Sequence, residues 1–116
     1  MIKNQLIYVA HPFGGDKANK YSIDTIMENL VMLDKNNTYL SPLHNFSMLY
    51  FDTQYSKGLK ICLDMLNKCD ALVLCGDWET SKGCIGEWSF AIAKGMPIYT
   101  WKEWTDKLKE QGDNSR

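Results

Sequence analysis

Short apolar runs alternate along this chain with stretches whose apolar residues recur at helical spacing, and that alternation leaves few folds open. The runs are Leu6–Ala10 (LIYVA), residues 39–40, Ala71–Leu74 (ALVL) and residues 97–99. Breakers follow them: His11-Pro12-Phe13-Gly14-Gly15 after the first, Ser41-Pro42 after the second, Gly76-Asp77 after the third. Apolar runs without polar alternation suit strands covered on both faces. Between them, Ile23, Ile26, Met27, Leu30 and Val31 recur at helical spacing, as do Tyr55, Leu59, Cys62, Leu63 and Leu66. A third helix is expected from about Gly83 to Lys94, with Cys84, Trp88, Ala91 and Ile92 inward, Ser81 or Thr80 as N-cap and Gly95 as C-cap. A last helix is expected from Trp101 to about Gln111.

The order βαβαβαβα predicts an α/β fold: a single-domain three-layer sandwich on a four- to five-stranded parallel sheet, Rossmann-like or flavodoxin-like, with helices on both faces. The 116 residues suffice for one domain, taken as 1–111, with 112–116 as a disordered tail. A net charge of −1 provides no broad basic field for a nucleic-acid polymer, so a small-molecule partner is expected. No apolar run approaches the ~20 residues of a membrane span, and the polar start does not read as a signal peptide. A cytoplasmic protein is expected, in the host cytosol if phage-encoded. Cys62, Cys69, Cys75 and Cys84 lack C-x-x-C spacing and lie among Leu63, Leu66, Leu74 and Ile85. They are expected to be reduced, buried thiols, and neither a metal nor another cofactor is expected.

In a sheet of this kind ligands bind where loops leave the C-terminal strand ends, near the reversal of strand order. That selects residues 11–17, 41–52 and 76–83. In the first loop, His11, Pro12, Phe13, Gly14 and Gly15 precede Lys17 and a helix start. Glycines allow close backbone approach, so this segment is either a phosphate cradle or a plain strand-to-helix turn. In the second, His44 and Asn45 offer hydrogen bonds to a sugar or base and Phe46 a stacking surface. The third carries Asp77, Trp78, Ser81, Lys82 and Gly83, and Glu87 follows in the early turns of the next helix. Glu87 is three residues from Cys84 and four from Ala91, which sets it on or beside the buried face. A carboxylate there is costly unless paired or used; the alternative is a glutamate turned into water.

Three blocks carry a family resemblance. They are Ile7-Tyr8-Val9-Ala10-His11-Pro12, Ser41-Pro42-Leu43-His44, and the stretch from Cys69-Asp70 through Gly76-Asp77-Trp78, Ser81-Lys82-Gly83 and Glu87 to Gly95-Met96-Pro97-Ile98. Over about residues 5 to 100 the chain resembles the nucleoside 2-deoxyribosyltransferase-like superfamily, which includes the 2'-deoxynucleoside 5'-phosphate N-hydrolases, and in particular its small phage and prophage members. The resemblance implies Glu87 as nucleophile at C1' of the sugar, Tyr8 beside it, and Ser81 on the 5'-phosphate. It also implies a homo-oligomer, at least a dimer. The sequence departs from the pattern at Cys62, where catalytic members carry an aspartate. Asp64 is offset by about 200° around the helix, which leaves Asp77 as the replacement to consider.

Different function classes follow. One is an N-glycosidase or deoxyribosyltransferase-type enzyme, with Asp77 or His11 as proton donor and Ser81, Lys82 and Gly15 on the phosphate. Another is a non-catalytic nucleotide-binding protein that sequesters a host immune signal, an ADP-ribose derivative or cyclic nucleotide, by stacking on Phe13, Phe46, Tyr50 or Trp78. A third is an interaction domain, with Trp101 and Trp104 at a subunit interface rather than completing the core.

Overall fold

The computed structural model describes residues 4–13, 16–42 and 55–114. Its elements are β1 (Leu6–Ala10), α1 (Lys17–Leu33), β2 (Thr38–Leu40), α2 (Tyr55–Asn67), β3 (Ala71–Leu74), α3 (Lys82–Lys94), β4 (Ile98–Thr100) and α4 (Trp101–Asn114), with a 3-10 turn at Trp78–Thr80 before α3. The four strands are all parallel, in the order β2-β1-β3-β4. This is the expected α/β architecture with four strands.

Strand periodicity divides β1 between two cores. Ile7 and Val9 join Ala71, Val73 and Cys75 on one face, where Ile23 and Leu30 of α1 and Trp104 of α4 cover them. Tyr8 and Ala10 join Leu72 and Leu74 on the other, under Cys62 and Leu66 of α2 and Cys84 and Ala91 of α3. All four cysteines are buried thiols, none of them in a disulfide. Burial pushes the Cys75 and Cys84 thiols up to about 12 and Cys69 to about 11, so these three behave as small apolar groups. No helix among the described residues is long and apolar enough to cross a membrane.

The polar joints are specific. α1 stops at Asp34, whose buried carboxylate accepts from the Asn36 amide at 2.9 Å, Asn37 Nδ2 at 2.8 Å and the Tyr39 hydroxyl at 2.5 Å. Trp104 Nε1 donates to the Tyr39 oxygen at 3.0 Å, so one network ties the end of α1 to β2 and α4. Trp104 is fully buried and completes the core of this chain, while Trp101 packs against the same cluster.

Three expectations need correction. Val31 was placed on the apolar stripe of α1 but is 56% exposed, because α1 is rotated to seat Ile23 and Leu30. Trp88 and Ile92 were placed inward on α3 and are 36% and 51% exposed. At 100° per residue Trp88 and Ile92 lie about 40° and about 80° beyond Cys84, the near edge of the buried stripe of Cys84, Glu87 and Ala91. The last helix, expected to end at about Gln111, runs to Asn114.

Candidate functional site

β1 has β2 on one side and β3 on the other, so the strand order reverses at β1 and a crevice is expected beyond the carboxyl ends of β1 and β3. The chain leaves β1 at His11 and β3 at Cys75-Gly76, with the Cys75 amide donating to the Ala10 carbonyl at 2.9 Å. His11 is buried. Its Nδ1–H donates to the Pro12 carbonyl at 2.7 Å, and Nε2 lies 3.0 Å from Ser22 Oγ on α1. The ring rests against Gly76, where a Cβ would come within 2.9 Å of His11 Nε2 and where φ is +61°. Only glycine satisfies both conditions without displacement.

Gly76→Ala is therefore expected to lower stability by about 1–3 kcal/mol in urea unfolding. Gly95→Ala, at φ +77° with nothing within 4 Å, should cost less, because it incurs the backbone strain without the clash. Equal losses in the two variants would remove the His11 contact from the explanation.

The helix starts are capped by their own side chains. Asp16 accepts from the amides of Ala18 at 2.7 Å and Asn19 at 3.4 Å, so the first amides of α1 already face an anion. Ser81 Oγ accepts from the Cys84 amide at 3.3 Å, and Gly95 ends α3 in the left-handed conformation, as expected. Asp77 and Lys82 are exposed at the entrance to α3. Trp78 packs on the core that contains Tyr8, its ring 5.9 Å from that of Trp88. Phe13 packs on the opposite core.

Glu87 is turned inward, 5% exposed, and the fully buried Tyr8 hydroxyl donates to its Oε2. Burial pushes the Glu87 carboxyl up to about 7, and the Tyr8 hydrogen bond partly offsets this. Tyr8 is driven far above the usual phenol range, first by burial and then by Glu87 and Cys62, so it remains a proton donor. Cys84 lies on the same stripe of α3, and Cys62 of α2 packs in the same core as Tyr8. Asp64 points away and pairs with Lys60 at 2.8 Å on the surface. The result is a carboxyl held by a phenol among thiols, balanced near neutrality between acid and carboxylate.

Of the residues singled out from sequence, Tyr8 and Glu87 meet directly. Gly14, Gly15, His44, Asn45, Phe46 and Tyr50 lie outside the described residues. Sequence reasoning missed Ser22 and the seat that Gly76 provides for His11. A glycine straight after a buried strand was the available signal for the second; Ser22 carried none. Among the described residues no group of three or more His, Cys, Asp or Glu is placed to hold a metal ion. An open polar groove of about 540 Å³, lined in part by Asn4, Lys35, Asn37 and Asp70, lies at the other, N-terminal end of the strands.

Fold and site together define a parallel α/β domain with reversed strand order and a tyrosine-held carboxyl under one sheet face. The chain belongs to the family described as a domain of unknown function, DUF4406, which it matches over residues 5–100. No curated protein matches it. Among solved structures it is similar to a 2-deoxyribosyltransferase from the psychrotolerant bacterium Bacillus psychrosaccharolyticus, at 20% identity and a TM-score of 0.62 over 82% of this chain and 70% of that one. It is also similar to a conserved protein from Enterococcus faecalis V583, at 22% identity and a TM-score of 0.64 over 83% of this chain and 62% of that one. At these identities the likeness is one of fold.

Proposed function

We infer that this chain binds a nucleoside or nucleotide beyond the carboxyl ends of β1 and β3 and cleaves or transfers its N-glycosidic bond. The observation that carries the reading is the buried Glu87 carboxyl under the Tyr8 hydroxyl, in a domain that shares its fold with a 2-deoxyribosyltransferase. A buried carboxyl on the inner stripe of a helix serves packing poorly, and suits a centre where positive charge develops.

In the reaction, a Glu87 carboxylate oxygen forms a bond to C1' as the C1'–N bond breaks. The base leaves with the bonding electron pair and takes up a proton. Water, or a second base, then attacks C1', gives up a proton to the Asp77 carboxylate left by the first step, and releases the Glu87 carboxylate. Tyr8 holds the carboxylate in place throughout. Ser81, Lys82 and Gly83 at the start of α3, with Gly15, take the phosphate. Asp77, exposed at the entrance to α3, protonates the leaving base in this reading, since both ring nitrogens of His11 have intramolecular partners. The protein works as a cytoplasmic homo-oligomer in this reading.

One observation favours a second reading, a non-catalytic protein that sequesters an intact nucleotide signal. The α2 side chain in the core of Tyr8 is the Cys62 thiol, where the resemblance calls for a carboxylate. The two readings separate in one experiment. The purified protein is incubated with deoxynucleosides, their 5'-monophosphates, NAD, ADP-ribose and cyclic dinucleotides, then washed on a filter, and the retained and released fractions are analysed by mass spectrometry. Free base in excess of the protein is the result expected of the enzyme. Intact ligand retained stoichiometrically without free base would replace it by the binder.

A further inference from the structure

A helix that faces water normally carries charge on its outer side. α1, α2 and α4 do so, each with a Lys–Asp pair one turn apart: Lys20–Asp24 at 2.6 Å, Lys60–Asp64 at 2.8 Å and Lys102–Asp106 at 2.8 Å. Between Lys82 and Lys94, α3 has a single charged residue, Glu87, and that one is buried. Its open flank is apolar instead. Ile85 is 40% exposed beside the exposed Trp88 and Ile92, and the three fall within about 60° of one another around the helix. Trp78 extends the stripe through its ring contact with Trp88. α2 lies on the other flank, because Gly86, about 100–160° round the helix from the stripe, faces Leu59 at 3.6 Å. α1 and α4 cover the opposite face of the sheet. The exposed Val31, Met32 and Leu33 of α1 form no comparable stripe, since consecutive helical residues point in three directions.

We propose that a second copy of this chain covers the stripe with its own α3, the two helices antiparallel about a two-fold axis beside Trp88 and Ser89. The stripe is self-complementary in that arrangement. With Ile85 of one copy opposite Ile92 of the other, Trp88 lies opposite Ser89, Lys82 opposite Gly95 and Lys94 opposite Gly83. Each bulky side chain outside the isoleucine pairs thus meets a small residue. The two ends also differ in charge. Asp77 and Glu79 stand exposed before the start of α3, where Lys82 offsets only one of them, and Lys94 stands in the last turn. Antiparallel pairing brings the acidic end of one copy to the basic end of the other and sets the helix dipoles opposed. A tryptophan between aliphatic side chains, free of charge, has the composition of an interface centre. This pairing assigns a face to the homo-oligomer of the reading above and is independent of its glycosidic step. Through Trp78 it adjoins the loop that leaves β3.

The test is sedimentation velocity of the full-length chain over a concentration series. The parent is expected at twice the chain mass. Ile92→Lys and Ile85→Lys are each expected to weaken association by roughly thirtyfold or more, the scale of a charge placed in an interface centre. They should therefore sediment as folded monomers where the parent is dimeric, and two variants guard against one failing to fold. Ser89→Cys places an exposed thiol beside the axis, while the native cysteines are buried. Mild oxidation is expected to convert that variant to a covalent dimer and to leave Thr25→Cys, on the exposed side of α1, uncoupled. A parent that is monomeric throughout, a dimer that survives both lysine substitutions in folded protein, or coupling at Thr25→Cys in place of Ser89→Cys overturns the inference. A dimer dispersed by the lysines in a protein that releases no free base keeps the interface and removes the enzymatic reading; free base from a monomeric parent does the reverse.

Discussion

Glu87→Gln is expected to lower N-glycosidic turnover on the order of a thousandfold or more, while the protein stays folded and still retains ligand. The amide is almost the same size and its oxygen still accepts from Tyr8, so packing is kept and only the nucleophile is lost. Single-turnover release of free base is the direct measurement; unchanged release in the variant would take Glu87 out of the chemistry. The parent protein carries a pH signature of the same group. Because the reacting form is the carboxylate and burial holds the carboxyl at about 7, kcat/KM should climb roughly tenfold per pH unit below that value and level off above it. Stability should run the other way. In the folded chain Glu87 keeps a proton that the unfolded chain releases near the usual 4.5, so between 4.5 and about 7 the native state binds more protons. Folding stability from this group is therefore full below that window and declines as pH rises through it. Glu87→Gln should flatten the decline and leave the variant relatively more stable at pH 8, as thermal melts across pH would read.

The largest loss of stability is expected from Trp104→Ala, about 3–5 kcal/mol in urea unfolding, a large share of what a domain of this size possesses. Trp104 is fully buried, its ring centroid lies 5.1 Å from that of Tyr99 and 6.4 Å from that of Tyr39, and its Nε1 donates to the Tyr39 oxygen. Trp104→Phe separates the two contributions. It retains most of the apolar contact and removes the indole donor, while Tyr39 still donates to Asp34, so a smaller loss of about 1 kcal/mol is expected. If the Ala variant were as stable as the parent but altered in oligomeric state, Trp104 would belong to an interface and not to this core.

Much of the architecture was legible because its causes are local. Buried strands of a parallel sheet need unbroken apolar runs, so ALVL and LIYVA declared themselves, and the alternation with helices left a parallel sheet as the outcome. Caps are local too: Ser81 and Gly95 take up the roles their side chain and backbone freedom prescribe. The spacing of Glu87 from Cys84 and Ala91 set it on or beside the buried face of α3 and left open a side chain turned into water; the fold turned it inward. The same reasoning failed for Val31, Trp88 and Ile92, because hydrophobicity was read as inwardness, and the rotation of a helix is set by the contacts of its whole face.

Sequence by itself thus determined which segments become strands and helices, where α3 is capped, and that a carboxyl stands on or beside its inner stripe. Only the tertiary structure decided what that carboxyl meets. Tyr8 and Glu87 are 79 residues apart and come together because β1 lies centrally beside β3, with α2 and α3 on the face to which Tyr8 points. The packing of His11 between Ser22 and Gly76 has the same origin. Residue periodicity specifies which face of an element is buried but carries no record of its neighbours. That information enters with the strand order, and strand order is settled by the packing of the whole chain.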